Sequence, residues 1–264
     1  MTAKSFYEAC LSLPGLTQAD AFELLKYCFA ISKENLWLYP QRQLPDKKSR
    51  EIITRLSKGE PSAYVAGRME FADVTVLVAP SVLIPRPETE ELTIKLMEEF
   101  DLNGKAVLDL CTGSGCIALA LAKRFPKATV VGKDISDEAL ALAFKSGVLN
   151  GLANVSFSKQ DFLNGETGRY DLLVCNPPYI PQGEKTETKD EPEQALFSGK
   201  DGLDSYKAIF PKMRSTMKLH GVAAFEIDPK NAMKIEGLAK AFRLPQPVFV
   251  LDLEGKKRFV KFYF

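Results

Sequence analysis

Apolar positions in the first seventy residues recur with the spacing of amphipathic helices. Helical spacing follows Thr17 and continues as far as Phe29, and Thr17 with Asp20 forms the sequence pattern of a capping box. A further helix is predicted over residues 47–56, where a glycine and a proline then stop it. Residues 1–68 are therefore predicted to form a small N-terminal helical domain.

The pattern becomes strand-like over residues 69–78, where β-branched and aromatic residues are frequent. The two prolines of residues 83–87 then impose extended backbone. Helical spacing resumes over 88–100. Residues 69–104 are accordingly predicted to form a hairpin, a hinge and a linking helix.

From residue 105 to residue 264 short apolar strands alternate with helices. Such alternation predicts an α/β fold with a parallel sheet covered by helices on both faces. The predicted helices include 137–149 and 204–218, and the short polar link before residue 258 predicts that the last two strands form an antiparallel hairpin. No internal repeat is visible in the sequence.

Composition narrows the possible functions. The 264 residues carry a net charge of +1, which argues against a protein that binds mainly by neutralising phosphates. The five cysteines form no CxxC pair, so reduced thiols and no metal site are expected. The sequence has no signal-peptide pattern and no apolar run long enough to span a bilayer, so a cytoplasmic protein is expected.

A glycine-rich segment from Asp109 to Ala118 follows the first strand of the α/β region. Gly113 and Gly115 allow close approach of the backbone to a ligand, and the following helix offers unpaired N–H groups at its N-terminus. Asp134 ends the next strand, where a carboxylate can bind ribose hydroxyls. These features are equally compatible with a dinucleotide site.

Two carboxylates favour S-adenosyl-L-methionine over a dinucleotide. Asp109 stands at the loop entrance, where it would repel a pyrophosphate and attract the ammonium of a methionine group. Asp161 and Phe162 follow the third strand, where they could accept from an adenine amino group and cover its ring. A cationic amino-acid nucleoside fits this set better than NAD.

The segment Asn176-Pro177-Pro178-Tyr179 follows an apolar strand at the edge where α/β sheets bind ligands. An amide or exocyclic amine nitrogen is a poor nucleophile because its lone pair is delocalised. The Asn176 side-chain oxygen and the Pro177 carbonyl could accept its two hydrogens, and Tyr179 could stack on the planar group. The predicted reaction is methylation of an uncharged planar nitrogen, in which orientation is the main catalytic contribution.

The stretch 182–194 is polar and mixed in charge. A loop of this length inside a compact domain is usually functional or mobile. Since it follows the proline motif directly, we expect a lid or a substrate-contacting loop.

An ordered series of motifs resembles the protein-(glutamine-N5) methyltransferases, and within them the release factor glutamine methyltransferases. The motifs that carry this resemblance are Pro61 to Gly67, Glu70-Phe71, Leu83 to Glu90, Asp109 to Gly115, Asn176 to Tyr179 and Asp201-Gly202-Leu203. The resemblance spans residues 61–264. It implies a Rossmann-like class I methyltransferase domain with a seven-stranded sheet, preceded by a helical domain that helps to bind the partner. It also implies the substrate, the glutamine of the Gly-Gly-Gln loop in bacterial peptide chain release factors.

The resemblance also implies site residues. Those expected to line the cofactor are Cys111, Thr112, Gly113, Ser114, Gly115, Asp134 and Phe162, and Asn176 is counted with both cofactor and substrate. Asn176 to Tyr179 would hold the glutamine, with Arg86 and Glu88 near the mouth of the site. Cys111 departs from the family pattern because glycine is usual there, and Glu226-Ile227-Asp228 lacks an expected glycine.

Two other substrates remain open at this point. A similar proline motif occurs in DNA adenine-N6 methyltransferases, but the chain has no evident target-recognition insert and almost no net charge. A ribosomal-protein glutamine is the nearer alternative. A non-catalytic binding module is disfavoured because both motifs are intact. The predicted protein is a monomer that binds a release factor and neither membrane nor nucleic acid.

Overall fold

The computed structural model of the protein describes residues 1–161, 168–185 and 190–264. Within these ranges the chain divides into two compact units. The first unit comprises 1–69 and 77–80, and the second comprises 70–76 and 81–264. The three-part division into domains with separate roles stays a prediction.

The first unit is helical, as its apolar spacing indicates. Its helices are α1 (Ala3–Leu11), α2 (Gln18–Phe29), α3 (Lys33–Leu38), α4 (Asp46–Ser57) and α5 (Ser62–Ala66). The predicted capping box is confirmed at α2, where the Thr17 side chain accepts from the Asp20 N–H and the Asp20 carboxylate accepts from the Thr17 N–H. The helices enclose a core of fully buried side chains that includes Phe6, Leu24 and Leu36.

A hairpin, β1 (Arg68–Phe71) and β2 (Val74–Leu77), carries the chain between the two units. Its turn is anchored within the second unit, where the Ala72 N–H donates to the Glu90 carboxylate at 2.6 Å. Helix α6 (Pro87–Glu99) follows and has proline in its first turn, where the missing N–H costs nothing.

The second unit is built on a seven-stranded sheet, which confirms the predicted α/β fold class. The strands are β3 (Ala106–Leu110), β4 (Thr129–Asp134), β5 (Val155–Lys159), β6 (Tyr170–Cys175), β7 (Met217–Glu226), β8 (Val248–Leu251) and β9 (Lys257–Tyr263). Their order is β5-β4-β3-β6-β7-β9-β8, with β3 to β7 parallel and β9 antiparallel to both β7 and β8. The predicted terminal hairpin is therefore confirmed.

The order of strands decides where a ligand can bind. Chain direction across the sheet reverses between β3 and β6, and a crevice opens at such a point beyond the carboxyl ends of the strands. Leu110 of β3 lies beside Cys175 of β6 in the ladder. The glycine-rich turn and the proline motif follow these two residues directly, so the fold brings both motifs to one place.

Helices cover the sheet on the described part of the second unit. They are α7 (Cys116–Arg124), α8 (Asp137–Leu149), α9 (Glu193–Leu196), α10 (Asp204–Ile209), α11 (Met213–Thr216) and α12 (Ala232–Ala241). The core beside β6 and β7 contains a cluster of edge-to-face aromatic rings: Tyr206, Phe210, Phe225 and Phe262. This packing fixes the end of β7 at the site.

The predicted helix 204–218 is wrong in its length and continuity. The structure has α10, a 3₁₀ turn at Phe210–Lys212 and α11, and the strand begins at Met217. Pro211 has no N–H to donate, which interrupts the helical ladder there. The buried residues Phe210, Met213 and Met217 keep helical spacing through this region, which is why the predicted helix extends over the first two residues of β7.

Candidate active site

The turn between β3 and α7 is formed by residues in the left-handed backbone region. Cys111, Gly113 and Gly115 have φ of 59°, 52° and 83°. A Cβ on Gly115 would lie 2.8 Å from the Ala143 Cβ, so only glycine fits there. Cys111 adopts the same region at the position where the family pattern has glycine, and an L-residue does so at a cost of about 1–2 kcal/mol.

Asp109 supports this turn from inside the protein. It is fully buried, and its Oδ2 accepts from the Thr112 hydroxyl at 2.5 Å and from the Ala118 N–H at 3.1 Å. Its Oδ1 is buried and has no hydrogen-bond partner among the described residues. Burial raises the pKa of the Asp109 carboxyl to about 7. Asp109 therefore carries an unsatisfied acceptor beside the glycine-rich turn.

Asp134 ties the turn to the end of β4. Its Oδ2 accepts from the Gly113 N–H at 2.8 Å and its Oδ1 from the Ser136 N–H at 3.0 Å. The side chain is partly exposed, so acceptor positions remain for a ligand. Asp134 thus both shapes the turn and faces the space beyond it.

Two neighbouring cavities lie at the carboxyl edge of the sheet. The first has a volume of about 210 Å³, and its wall includes Cys111, Gly113, Asp134, Gln160 and Asn176. The second has a volume of about 750 Å³, and its wall includes Arg86, Asn176, Pro177, Tyr179 and Arg258. Leu83, Asn176 and Ala195 line both. The cavities therefore meet at Asn176.

A hydrogen-bonded chain of side chains reaches Asn176 from the buried end of β7. Asn176 Nδ2 donates to Thr89 Oγ1 at 3.0 Å, and Thr89 Oγ1 donates to Glu226 Oε2 at 2.7 Å. The hydroxyl of Tyr179 donates to the other oxygen, Glu226 Oε1, at 3.1 Å. Thr89 and Glu226 are 2% and 1% exposed, so the chain is shielded from water. Burial raises the pKa of both Glu226 and Tyr179.

An ion pair closes the wall that the two cavities share. The buried Glu191 carboxylate is bonded to the Arg86 guanidinium and accepts from the Ile84 N–H at 2.9 Å. Pro192 and Ala195, which follow Glu191, line the first cavity together with Leu83. The pair thus fastens the segment after the proline motif to the segment before α6.

The basic residues around the second cavity are mostly paired. Arg86 binds Glu191, Arg258 binds Asp252 at 3.3 Å, Lys230 lies 3.7 Å from Glu184, and Lys256 lies 2.5 Å from Glu254. Paired cations offer little net positive charge to a phosphate backbone.

Eight of the sequence-predicted site residues line the two cavities, and six of those that the structure describes do not. Asp109 is buried behind the turn, and the others absent from both cavity walls are Glu88, Thr112, Ser114, Gly115 and Asp161. Gln160, the residue before Asp161, lines the first cavity instead. Phe162 lies outside the described residues, so its predicted contact with the cofactor stays a prediction.

Three residues of the site were missed from the sequence: Thr89, Glu191 and Glu226. Thr89 has the spacing of a helix interior, and Glu191 stands in a polar stretch, so neither differs from its neighbours. Glu226 did give a signal, because it is a single charge at the end of an apolar strand, where a carboxylate is costly to bury without partners.

Comparisons with known proteins agree with this geometry. The family described as "Methyltransferase small domain" matches residues 88–198. The fold is similar to that of a crystal structure of a methyltransferase from Pyrococcus furiosus, with a TM-score of 0.53 at 18% identity over 72% of this chain and 88% of that one.

Curated relatives have a higher sequence identity to this chain than that structure has. A release factor glutamine methyltransferase of Koribacter versatilis is 40% identical over 215 residues, which are 77% of this chain and 76% of the relative. One of Bacteroides thetaiotaomicron is 36% identical over 255 residues, 91% of each chain. With this identity over most of both chains, and with the glycine-rich turn and the proline motif in place, the chain belongs to the release factor glutamine methyltransferase family.

Proposed function

We propose that the chain transfers a methyl group from S-adenosyl-L-methionine to the side-chain amide nitrogen, N5, of the glutamine in the Gly-Gly-Gln motif of peptide chain release factors. The observation that carries the proposal is the position of Asn176, where a cavity beside the glycine-rich turn meets a larger one beside the proline motif. The names of the curated relatives support the choice of protein substrate.

The residues of the first cavity fit this cofactor. Asp134 offers a carboxylate to ribose hydroxyls, and the left-handed turn at Gly113 leaves room for close backbone contact. The buried, unpaired Oδ1 of Asp109 would be stabilised by a cationic group bound near the turn. When bound, the cofactor supplies an activated methyl group on a sulfonium.

The residues of the second cavity fit a glutamine side chain. The Asn176 Oδ1 and the Pro177 carbonyl can accept the two hydrogens of the amide, which orients its nitrogen toward the first cavity. Tyr179 offers a ring face to the planar group while its hydroxyl is held by Glu226. Neutral acceptors suffice because the proton leaves the nitrogen after transfer. The contribution of these residues is orientation and exclusion of water.

Arg86 acts at the mouth through its pair with Glu191, which holds the shared wall in place. Glu88 has a less direct role, since its charge acts on the pKa of Glu226 and Tyr179 without a place in either cavity wall. Both were predicted to contact substrate, and for Glu88 we now propose an electrostatic role only.

We propose that the protein acts as a monomer. The paired rim argues against the DNA adenine alternative. We propose that the protein acts in the cytoplasm, where release factors act. Among the described residues, no helix has the length and apolar character needed to cross a membrane.

The test is methyl transfer from labelled S-adenosyl-L-methionine to an unmodified release factor, beside a variant with alanine for the glutamine of Gly-Gly-Gln. Label on the first protein and none on the second is the expected result. Label on a ribosomal protein or on DNA, with the release factor unlabelled, would replace the proposed substrate.

A further inference from the structure

The orientation of the Asn176 amide is fixed through a relay of hydrogen bonds that begins at Glu226. An asparagine side chain has one acceptor end and one donor end, and they are nearly equal in shape. Catalysis as proposed requires the acceptor end, Oδ1, to face the substrate. Something in the protein must therefore distinguish the two ends.

The distinction comes from the sequence of donors and acceptors. Glu226 accepts at both of its oxygens, from Tyr179 at Oε1 and from Thr89 at Oε2, so the single proton of the Thr89 hydroxyl is donated to Glu226. The Thr89 oxygen then has only lone pairs left, and it accepts from Asn176 Nδ2 at 3.0 Å. The donor end of Asn176 is thereby held away from the cavities, which leaves Oδ1 for the substrate.

Burial makes the relay reliable. Glu226 and Thr89 are almost completely shielded, so no water competes for these bonds. The second carboxylate oxygen, Oε1, accepts from the Tyr179 hydroxyl at 3.1 Å, so both oxygens of Glu226 are occupied. The carboxylate therefore cannot turn to another partner.

We infer that Glu226 and Thr89 are positioning residues that set the polarity of the Asn176 side chain, so that its oxygen and not its nitrogen meets the reacting amide. Neither residue touches the substrate. This inference rests on the proposed function, because only a substrate that donates hydrogens needs an acceptor at this place.

A conservative change tests the relay. In Glu226→Gln the new amide group can donate to Thr89 Oγ1, which releases the Thr89 proton to bond Asn176 Oδ1 and reverses the asparagine. We expect kcat to fall by about 100-fold, the size associated with a misplaced reacting group, while KM for the release factor and cofactor affinity change little. Thr89→Val should have a similar effect, and Thr89→Ser, which keeps the hydroxyl, should retain activity.

A matched control is Tyr206→Phe, which removes a hydroxyl bonded to the main-chain carbonyl of Glu226 and leaves the relay intact. Its kcat should stay near that of the wild type. The double variant of Glu226→Gln with Thr89→Val should be no slower than the slower single variant, because both interrupt one path. Thermal unfolding of each variant separates loss of orientation from loss of fold.

A second readout needs no substrate. The ¹H–¹⁵N signals of the Asn176 side-chain amide should shift in Glu226→Gln and in Thr89→Val but remain in place in Thr89→Ser. Unchanged signals with kcat within about twofold of the wild type in folded variants would overturn the inference. If Glu226→Gln does not fold, the Thr89 pair decides the same question. If the wild-type protein does not label the release factor, the proposed function is rejected. The Asn176 amide signals would still show whether Glu226 and Thr89 fix the orientation of that side chain.

Discussion

Replacing Asp134 by alanine is expected to weaken the binding of S-adenosyl-L-methionine without unfolding the protein. A carboxylate has about four acceptor positions, and two of those on Asp134 already hold the Gly113 and Ser136 N–H groups. About two positions are thus available for ribose hydroxyls. The substitution removes these and also loosens the turn at Gly113.

The magnitude follows from the bonds lost. A hydrogen bond to a charged group contributes about 1.5–3 kcal/mol, so two would contribute roughly 3–6 kcal/mol. Because Asp134 is partly exposed, water compensates in part and the lower end is expected, an increase in Kd of about 100-fold. Asp134→Asn keeps one acceptor oxygen, so its Kd should rise by about tenfold.

Isothermal titration calorimetry measures the Kd of both variants for the cofactor. Asp137→Ala serves as the control, because Asp137 is three residues further along the chain, in the first turn of α8, where its side chain is 74% exposed and paired with Lys159. Its Kd should equal that of the wild type. Unchanged binding by a folded Asp134→Ala protein would remove Asp134 from the cofactor site and refute the reasoning.

Other variants address the remaining parts of the site. Asn176→Ala should lower kcat by about 100-fold with cofactor affinity within about twofold, and normal turnover in a labelling assay would contradict its role. Arg86→Ala leaves the buried Glu191 charge unpaired and should reduce the free energy of unfolding by about 3–5 kcal/mol. Glu191→Gln should reduce the free energy of unfolding by less. Denaturation midpoints equal to that of the wild type would show that the ion pair does not contribute to stability. The affinity for the cofactor should increase with pH, by up to about tenfold per pH unit below about pH 7. The cationic ligand favours the ionised form of Asp109, whose raised pKa keeps the carboxyl neutral at lower pH. A cofactor Kd that does not change with pH in calorimetry would exclude this coupling between binding and the ionisation of Asp109. Leu38→Glu, at a side chain 68% exposed, should raise KM for the intact release factor but not for a free Gly-Gly-Gln peptide, if the N-terminal helices bind the partner as predicted.

The fold could be predicted from the sequence where periodicity and turn residues agree. Strand and helix alternate cleanly between residues 105 and 175, and the structure follows that pattern closely. The prediction was wrong near Pro211, because the buried residues Phe210, Met213 and Met217 keep helical spacing across the 3₁₀ turn and into the strand, so spacing alone could not separate these elements. Strand order, which brings the glycine-rich turn beside Asn176, depends on pairing over long distances and is not visible in local spacing.

The candidate site was predictable as two motifs but not as a network. Asp134 ends β4 and Asn176 follows β6, both at the carboxyl edge of the sheet, where position alone predicts a role. Thr89 and Glu226 are 137 residues apart, and nothing in the local pattern joins them. Asp109 was expected to meet the ligand directly, yet it is buried beneath the turn, where its carboxylate accepts from the Ala118 N–H in the first turn of α7 and from the Thr112 hydroxyl. Local sequence indicates which residues can react, but long-range packing decides how they are oriented.

The shared wall of the two cavities has a consequence for the design of inhibitors. Leu83, Asn176 and Ala195 line both spaces, so one molecule could place a nucleoside in the first and a carboxamide in the second across a very short linker. Tethering makes the second binding event intramolecular, at an effective concentration in about the millimolar range, and can raise overall affinity by roughly 10²–10⁴-fold. A nucleoside pocket of this kind is common to many transferases. The carboxamide would add affinity only in a protein that has a pair of acceptors for its two hydrogens. The selectivity of such an inhibitor would therefore come from its carboxamide end.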